Sequence, residues 1–494
     1  MFKSCCKTRF EHKTHLIMKN VTIILFLLLA NSCFSQQKFN TNLIDNRDLK
    51  AYSVCEHHDF YYVLSTIHDN NPSDTTISCL YQFDSKGELT DSLQYKYNNN
   101  NTLITCIEVI NDTITLIGYS DSETDTIFNI HILRVSDDLD IVNTYTYPFY
   151  SGQLYFMCTA HNSNGLIIGG THIPFSGGYW DLHFIYINNY WEQTNLKTYD
   201  FYAGDAIYGL TTCNDTIYAS VQTNRVNKNR FYVWSIDSIL NYSVLNHTIN
   251  YSSSSTIIND QNNQLLLSGY SSKSIGFETQ DFVTNFRMST NGVVTDSIMY
   301  GRDGARDRVA PFGSISASGD RIFCLSMQGV GNGTLHWFSS FPVNACLSVM
   351  DYDMNLISQT YLDDEVCYTG CKVVATSDGG CIFIATRYDY LNGIEERDLV
   401  VVKTDPDGIF TWTTEIHLPD LPNGIYPNPA KEYIHIKDQF IPGTLQVFDI
   451  NGKHVLETET KSTVKIGNLT SGSYVYRIVN EKGIGTSAGK MIVE

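Results

Sequence analysis

The sequence predicts an all-β chain in two parts, a repeat body over residues 36–420 and a small terminal sandwich over 424–494. Three observations carry this. A motif of about 50 residues returns seven times, no segment after the leader sustains a helical apolar period, and the composition favours strands. Of 494 residues 43% are hydrophobic, and 32 Tyr and 25 Phe stand against 11 Pro, the balance of a chain that packs pleated sheets. The formal net charge of −19 argues against nucleic acid as a partner, because phosphate binding needs a basic face. An acidic surface serves solubility.

Residues 1–35 read as an export leader, with Met18 as the expected start. Lys19 precedes the apolar run Val21–Ala30, and short polar residues lead to Gln36, the order of a signal peptide. The run is too short to span a bilayer, which takes about 20 apolar residues. Cys33 lacks the preceding Leu of a lipid acceptor and follows Asn31-Ser32, so a cleaved leader is expected over a lipid anchor. Ten cysteines follow the leader, at 55, 79, 106, 158, 213, 324, 346, 367, 371 and 381. An even count in an oxidising compartment permits disulfides. Scattered buried thiols with one or two bridges are expected, and Cys367-x-x-x-Cys371 has no second pair at zinc-site spacing.

The repeat is clearest at its last turn, in LYQFDSKGEL, ILRVSDDLDI, FIYINNYWEQ, VWSIDSILNY, NFRMSTNGVV, LSVMDYDMNL and VVKTDPDGIF. The turns open on Asp84, Ser136, Asn188, Asp237, Ser289, Asp351 and Asp405, spaced 52, 52, 49, 52, 62 and 54 residues apart. Short Asp, Asn and Ser side chains accept hydrogen bonds from amides just downstream, which starts a turn. Gly87, Gly292 and Gly408 fall three residues later, where a left-handed backbone is often required. Each turn follows an apolar strand, itself preceded by another such as YYVLST, TITLIGY or CIFIAT. Four short strands per unit, repeated seven times, predict a seven-bladed β-propeller. A β-solenoid is the competing repeat fold, but its rungs are shorter. The seventh unit, with Thr376-Ser-Asp-Gly-Gly380, Asp398–Gly408 and Phe410-Thr-Trp412, resembles a diffuse group of secreted bacterial repeats, which implies a propeller and no particular chemistry.

Beyond Leu421-Pro422-Asn423 the pattern changes to short alternating strands with Pro-Asn, Asn-Gly and Ser-Gly turns, predicting a small Ig-like β-sandwich. The motif residues are Pro427, Asn428 and Pro429 in YPNPA, Gly452 and Lys453 in D-x-N-G-K, Gly472 and Tyr474 in L-x-S-G-x-Y-x-Y-R-I, and Gly489 and Lys490 in the last strand. In that order they resemble the C-terminal sorting domain of the type IX secretion system of the Bacteroidetes. The resemblance implies an outer-membrane translocon and a sortase as partners. It also implies a surface-attached or released product.

Chemistry is sparse. There is no GxSxG elbow, HExxH helix, Walker loop or GxGxxG after a strand, so no catalytic residue, cofactor or metal ligand is assigned. Glu56-His57-His58-Asp59 stands out, but neighbouring strand residues point to opposite faces and cannot easily share one ion. Asp405-Pro-Asp407-Gly408 has Lys403 and Thr414 where a calcium loop needs acidic ligands, and reads as a turn. It also lacks the Gly and Trp spacing of a sialidase Asp box. Asp91-Ser-Leu, Asp112-Thr-Ile and Asp296-Ser-Ile resemble an O-glycosylation acceptor, a match short enough to arise by chance.

The repeat is interrupted between its second and third strands in unit three, by Ile173–Trp180, and in unit six, by Gly329–Pro342. Tyr179, Trp180, Trp337, Phe338 and Phe341 lie on these Gly-rich loops. Aromatic rings on exposed loops stack on sugars or anchor a protein, so these five are the candidate ligand contacts. The leading expectation is a binding module for a glycan or protein. The alternative is a polysaccharide hydrolase or lyase with its site at the propeller mouth.

Overall fold

The computed structural model describes residues 38–493 except 45–46, 69–75, 99, 122–127, 150–151, 175–179, 202–203, 224–229, 247–252, 276–277, 303–304, 330–341, 364–365, 393–396, 411–412, 418–424, 428, 438–439, 450–452 and 480–484. The leader lies outside the described residues. The chain divides into two compact units, the second comprising Leu43–Asn46 and Ile416–Glu494. Among the described residues there are strands and one 3-10 turn, Tyr390–Asn392, and no α-helix.

The repeat body forms seven antiparallel sheets in chain order. Sheets 1 to 5 are four-stranded meanders over 48–95, 101–149, 152–199, 206–246 and 253–300. Sheet 6 spans 307–362, its first strand split into Asp307–Val309 and Ile315–Ser318. Sheet 7 takes Cys367–Ala375, Cys381–Tyr388 and Arg397–Thr404, then Phe39–Ile44 from the start of the chain, then Thr413–His417. Recruitment of that early strand went unforeseen, because its pairing is non-local.

Apolar residues sit between consecutive sheets, in layers. Leu64 and Leu80 of sheet 1 meet Ile104 and Leu116 of sheet 2, and Ile117 and Ile132 meet Leu166 and Ile185 of sheet 3. Trp234 is buried between sheets 3 and 4 with Phe184 and Ile207. Similar layers join sheets 4 and 5, 5 and 6, and 6 and 7. Seventh and first sheets are linked by polar contacts: Ala51 N donates to Thr386 Oγ1 at 3.0 Å, and Ser377 N and Oγ donate to Glu56 at 2.6 and 2.8 Å. Buried Arg397 and Asp48 form a two-pronged ion pair across the same junction.

Two local devices repeat. The first is the turn identified in the sequence, which all seven units share. In each, the first residue's carbonyl accepts from the amide three residues on, and its amide donates to the carbonyl four residues on, as in Gly87 N to Asp84 O at 3.0 Å and Asp84 N to Glu88 O at 3.0 Å. The opening side chain accepts from the amide of its fourth successor: Asp84 from Glu88, Asn188 from Glu192, Asp351 from Asn355. The Asp405 motif is one of these turns. The fourth residue is left-handed in every unit, with Leu139, Trp191, Leu240 and Met354 joining the three glycines. A left-handed backbone costs a side-chain-bearing residue about 1–2 kcal/mol. Leu139, Leu240 and Met354 are buried in the inter-sheet layers, which returns about 1.5–3 kcal/mol, so packing overrides backbone preference.

The second device is a bulge in the first strand of the sheets, at Tyr52, Thr105, Tyr208, Ser255 and Cys371 and between Tyr155 and Cys158. In sheet 6 the whole segment 310–314 departs from the ladder. Its amide at Phe312 donates to Cys371 O at 3.1 Å, and Gly313 O accepts from Val373 N at 2.9 Å.

Two expectations need correction. All ten cysteines after the leader are free, so the one or two expected bridges do not form. The thiols' partners are hydroxyl, amide and carbonyl groups, as with Cys381 Sγ 3.2 Å from Thr404 Oγ1 in its own sheet and Cys324 Sγ 3.6 Å from Ser268 Oγ in the neighbouring one. Nor do His57 and His58 point apart. His57 ends its strand and His58 is left-handed, with φ 52, which turns the two rings together at 3.9 Å.

The turn account is tested at two positions by urea unfolding. Leu240→Gly relieves the backbone but removes a buried side chain, so a net loss of about 1–4 kcal/mol is expected. Gly292→Ala should also destabilise, by more than about 1 kcal/mol, since its Cβ would lie 2.3 Å from Leu245 O at φ +88. A stabilised Leu240→Gly protein would refute the packing explanation.

Candidate functional site

The bulged strands surround a cavity of about 210 Å³ to which all seven sheets contribute. A bulge takes one residue out of ladder pairing and re-aims its neighbours. The residues so presented include Ser53, Thr105, Cys106, Cys158, Tyr208, Thr256, Phe312 and Lys372. Thr256 Oγ1 accepts from Ser314 N at 2.8 Å, and Ser53 Oγ from Ile107 N at 3.4 Å, so hydroxyls of one sheet satisfy amides of the next.

Among the described residues lining this cavity, Glu108 and Lys372 are the charged ones. Thr159 Oγ1 donates to Glu108 at 2.7 Å and Lys372 Nζ donates to Ser53 Oγ at 2.9 Å. Gly313 makes room for the lysine, since a Cβ there would meet Lys372 Cγ at 2.7 Å. One carboxylate on this wall does not make the pair that two-carboxylate glycoside hydrolysis uses. Burial pushes the Cys106 thiol up to about 11, and raises Cys158 well above its usual value. The thiolate is the nucleophilic form, so neither is activated.

Trp180, of the loop candidates, lies outside this cavity's lining. In an antiparallel meander the link between second and third strands shares an end with the connection to the next sheet, opposite the hairpin turns. Trp180 confirms that placement. Its carbonyl accepts from Asp205 N at 2.7 Å, in the connection between sheets 3 and 4, and its side chain is 43% exposed. Tyr179, Trp337, Phe338 and Phe341 lie outside the described residues.

A second cavity, of about 270 Å³, was not anticipated. It lies at the hairpin-turn end of sheets 2 and 3, lined by Asn111, His161, Asn162, Asn188, Asn189 and Trp191. Trp191 occupies a left-handed turn position, stacks on Tyr145 at 5.2 Å and lies beneath the Arg134 guanidinium. The amides hold turns: Asn162 Oδ1 accepts from Asn164 N, and Asn189 Nδ2 donates to Ser163 O. The sequence signal was the Trp in FIYINNYWEQ, read there only as part of a turn.

In the second unit, a three-stranded and a four-stranded sheet enclose one core of Ile434, Leu445, Val447, Val464, Tyr476, Ile478 and Met491. Lys453 N donates to Asp449 Oδ1 at 2.9 Å, closing the D-x-N-G-K turn as the repeat turns close. Tyr474 is buried and donates to Thr470 O at 2.7 Å. Pro427, Pro429, Lys453, Gly472 and Lys490 are exposed, whereas Asn428 and Gly452 lie outside the described residues. Gly489 pairs with Tyr476 in the edge ladder. The family model for the secretion system C-terminal sorting domain matches residues 424–494.

Residues 424–494 are a type IX sorting domain. A sorting domain of this kind implies export and interaction with the type IX machinery. No curated protein matches the chain. Among solved structures, the chain is similar to polysaccharide lyase Uly1, at 9% identity and TM-score 0.44 over 72% of this chain and 89% of that one. It is also similar to virginiamycin B lyase from Staphylococcus aureus, at 11% identity and TM-score 0.42 over 74% and 99%. A Synechocystis apocarotenoid oxygenase variant gives 7% identity and TM-score 0.40 over 76% and 95%. Nothing further rests on these likenesses.

The thiol assignment has a direct check. Alkylation by iodoacetamide at pH 8 without reductant should be slow on the native protein and reach all ten thiols once the chain is unfolded, because buried neutral thiols react poorly. Fewer than ten labelled sites after unfolding would reveal a bridge.

Proposed function

We propose that this chain is an exported binding protein for a glycan or protein ligand. Its leader occupies 1–35, its body at 36–420 is a seven-bladed β-propeller, and its Ig-like sandwich at 424–494 is read by the translocon and sortase. The mature protein is displayed on the outer-membrane surface or released. Seven sheets meeting in series, with the seventh against the first, support the propeller reading. Two sheets about one core support the sandwich.

The observation that carries the binding reading is Trp180, an exposed indole whose backbone is fixed by the Asp205 amide. Asp205 is itself buried, and its Oδ2 accepts from Phe201 N at 3.1 Å. An aromatic ring held ready by a rigid support loses little entropy on binding, and its flat face suits a sugar ring or an apolar protein group. Tyr179, Trp337, Phe338 and Phe341 are the further ligand contacts this reading proposes from the sequence.

Two experiments test the two halves. Deleting 424–494 should leave a body that melts cooperatively but stays in the periplasm, because the sandwich has its own core. Fractionation that finds the truncated protein outside at normal levels would refute the export assignment. For binding, a glycan array and a surface-protein pull-down on residues 36–420 supply the ligand. Trp180→Ala should then weaken binding about tenfold or more, equivalent to about 1.4 kcal/mol, with an unchanged melting midpoint. Unchanged affinity would remove Trp180 from the ligand surface.

A further inference from the structure

The His57-His58 turn carries an arrangement that neither export nor the Trp180 surface uses. His57 Nε2 lies 3.4 Å from Asp137 Oδ1, and His58 Nδ1 lies 3.1 Å from Asp137 Oδ2. The three ligand atoms fall within 4.8 Å of one another. His57 is buried, only 6% exposed, and its Nε2 is shut off from solvent with no hydrogen-bond partner. A buried imidazole nitrogen left unsatisfied costs free energy unless something completes it. Here it faces a carboxylate and a second imidazole.

We propose that His57 Nε2, His58 Nδ1 and Asp137 bind a first-row divalent cation of the zinc class. Two imidazoles and a carboxylate are donors that suit zinc and its neighbours, in contrast to the all-oxygen shells of calcium and magnesium. The other nitrogen of His58, Nε2, lies 3.4 Å from Asp112 Oδ1. That is the outer carboxylate that typically fixes the tautomer of a metal-bound histidine.

The support is built in. Gln82 Nε2 donates to Asp137 O at 2.8 Å and sits 2.9 Å from Tyr62 Oη, holding the Asp137 turn against the first sheet. The side chains of His58 and Asp137 are about half exposed, which leaves an entry path and room for small rotations toward bonding distance. His57 and His58 belong to sheet 1, and Asp112 and Asp137 to sheet 2. The ion therefore clamps two consecutive sheets at their hairpin-turn end, with solvent water as the remaining ligand.

The test uses the full mature chain, stripped with EDTA and titrated with zinc chloride by calorimetry. One equivalent should bind and raise the melting midpoint, because a ligand that binds the folded state stabilises it. His58→Ala and Asp137→Asn, both on exposed side chains, should keep the metal-free midpoint and lose that equivalent. Asp112→Asn should keep the stoichiometry and weaken affinity about 10–100-fold. X-ray absorption on the zinc form should show nitrogen and oxygen neighbours without sulfur. Absence of a saturable equivalent would overturn the site. So would an equivalent that survives both substitutions, or a shell containing sulfur.

Discussion

The repeat body depends on joining its last sheet to its first. Each sheet buries its faces against its neighbours, so an open series would leave apolar layers uncovered at both ends. The Phe39–Ile44 strand completes sheet 7 from the opposite end of the repeat body. Phe39 also packs on Tyr61, and Thr41 Oγ1 donates to Gly87 O at 3.1 Å, so one strand serves two sheets. Gly87 is required there, since a Cβ would meet the Phe39 ring at 2.5 Å. The Asp48–Arg397 pair adds direction more than strength. Burying two charges costs nearly what their attraction returns, but leaving either one alone costs about 3–5 kcal/mol. Only one way of meeting satisfies both.

Given that junction, the inner strands face a shared cavity, and the bulges determine what it contains. A bulge frees a backbone amide, and a buried free amide must find an acceptor. Ser53, Ser78, Thr256 and Thr386 supply hydroxyl oxygens from neighbouring sheets. The wall is polar for structural reasons first. Glu108 and Lys372 each have a hydroxyl partner on it, and the cysteines among these hydroxyls are held neutral by burial.

Legibility followed the range of the interaction. The seven turns were readable because their logic is local: an Asp, Asn or Ser and the amides just beyond it. The second strands and the tail's turns were readable for the same reason. The left-handed Leu139, Trp191, Leu240 and Met354 were not, because a tertiary layer decides them and a glycine rule does not cover that. The closing strand and Asp48–Arg397 join positions more than three hundred residues apart, and no periodicity encodes such a pairing. The thiols were misjudged because spacing cannot show that they are spread over six of the seven sheets and left unpaired there. The strand-alternation argument failed at His58 because the strand ends one residue earlier.

The two ends of the sheets are under different constraints, and this is why new function is expected at one more than the other. At the hairpin-turn end, side chains are spent on the turns and on links between sheets. Glu56 holds Ser377, Asp215 holds Ser163, and Gln261 reaches Gly319. A substitution there disturbs two sheets at once. At the other end the second and third strands need only be connected, so a loop can lengthen without altering the turn or the bulge. Trp180 lies at that end, its backbone steadied by one hydrogen bond from the Asp205 amide. His57 departs from the rule at the crowded end, because its buried Nε2 is left without a hydrogen bond. A buried imidazole nitrogen without a hydrogen bond, facing a carboxylate and a second imidazole, is what a bound ion would complete.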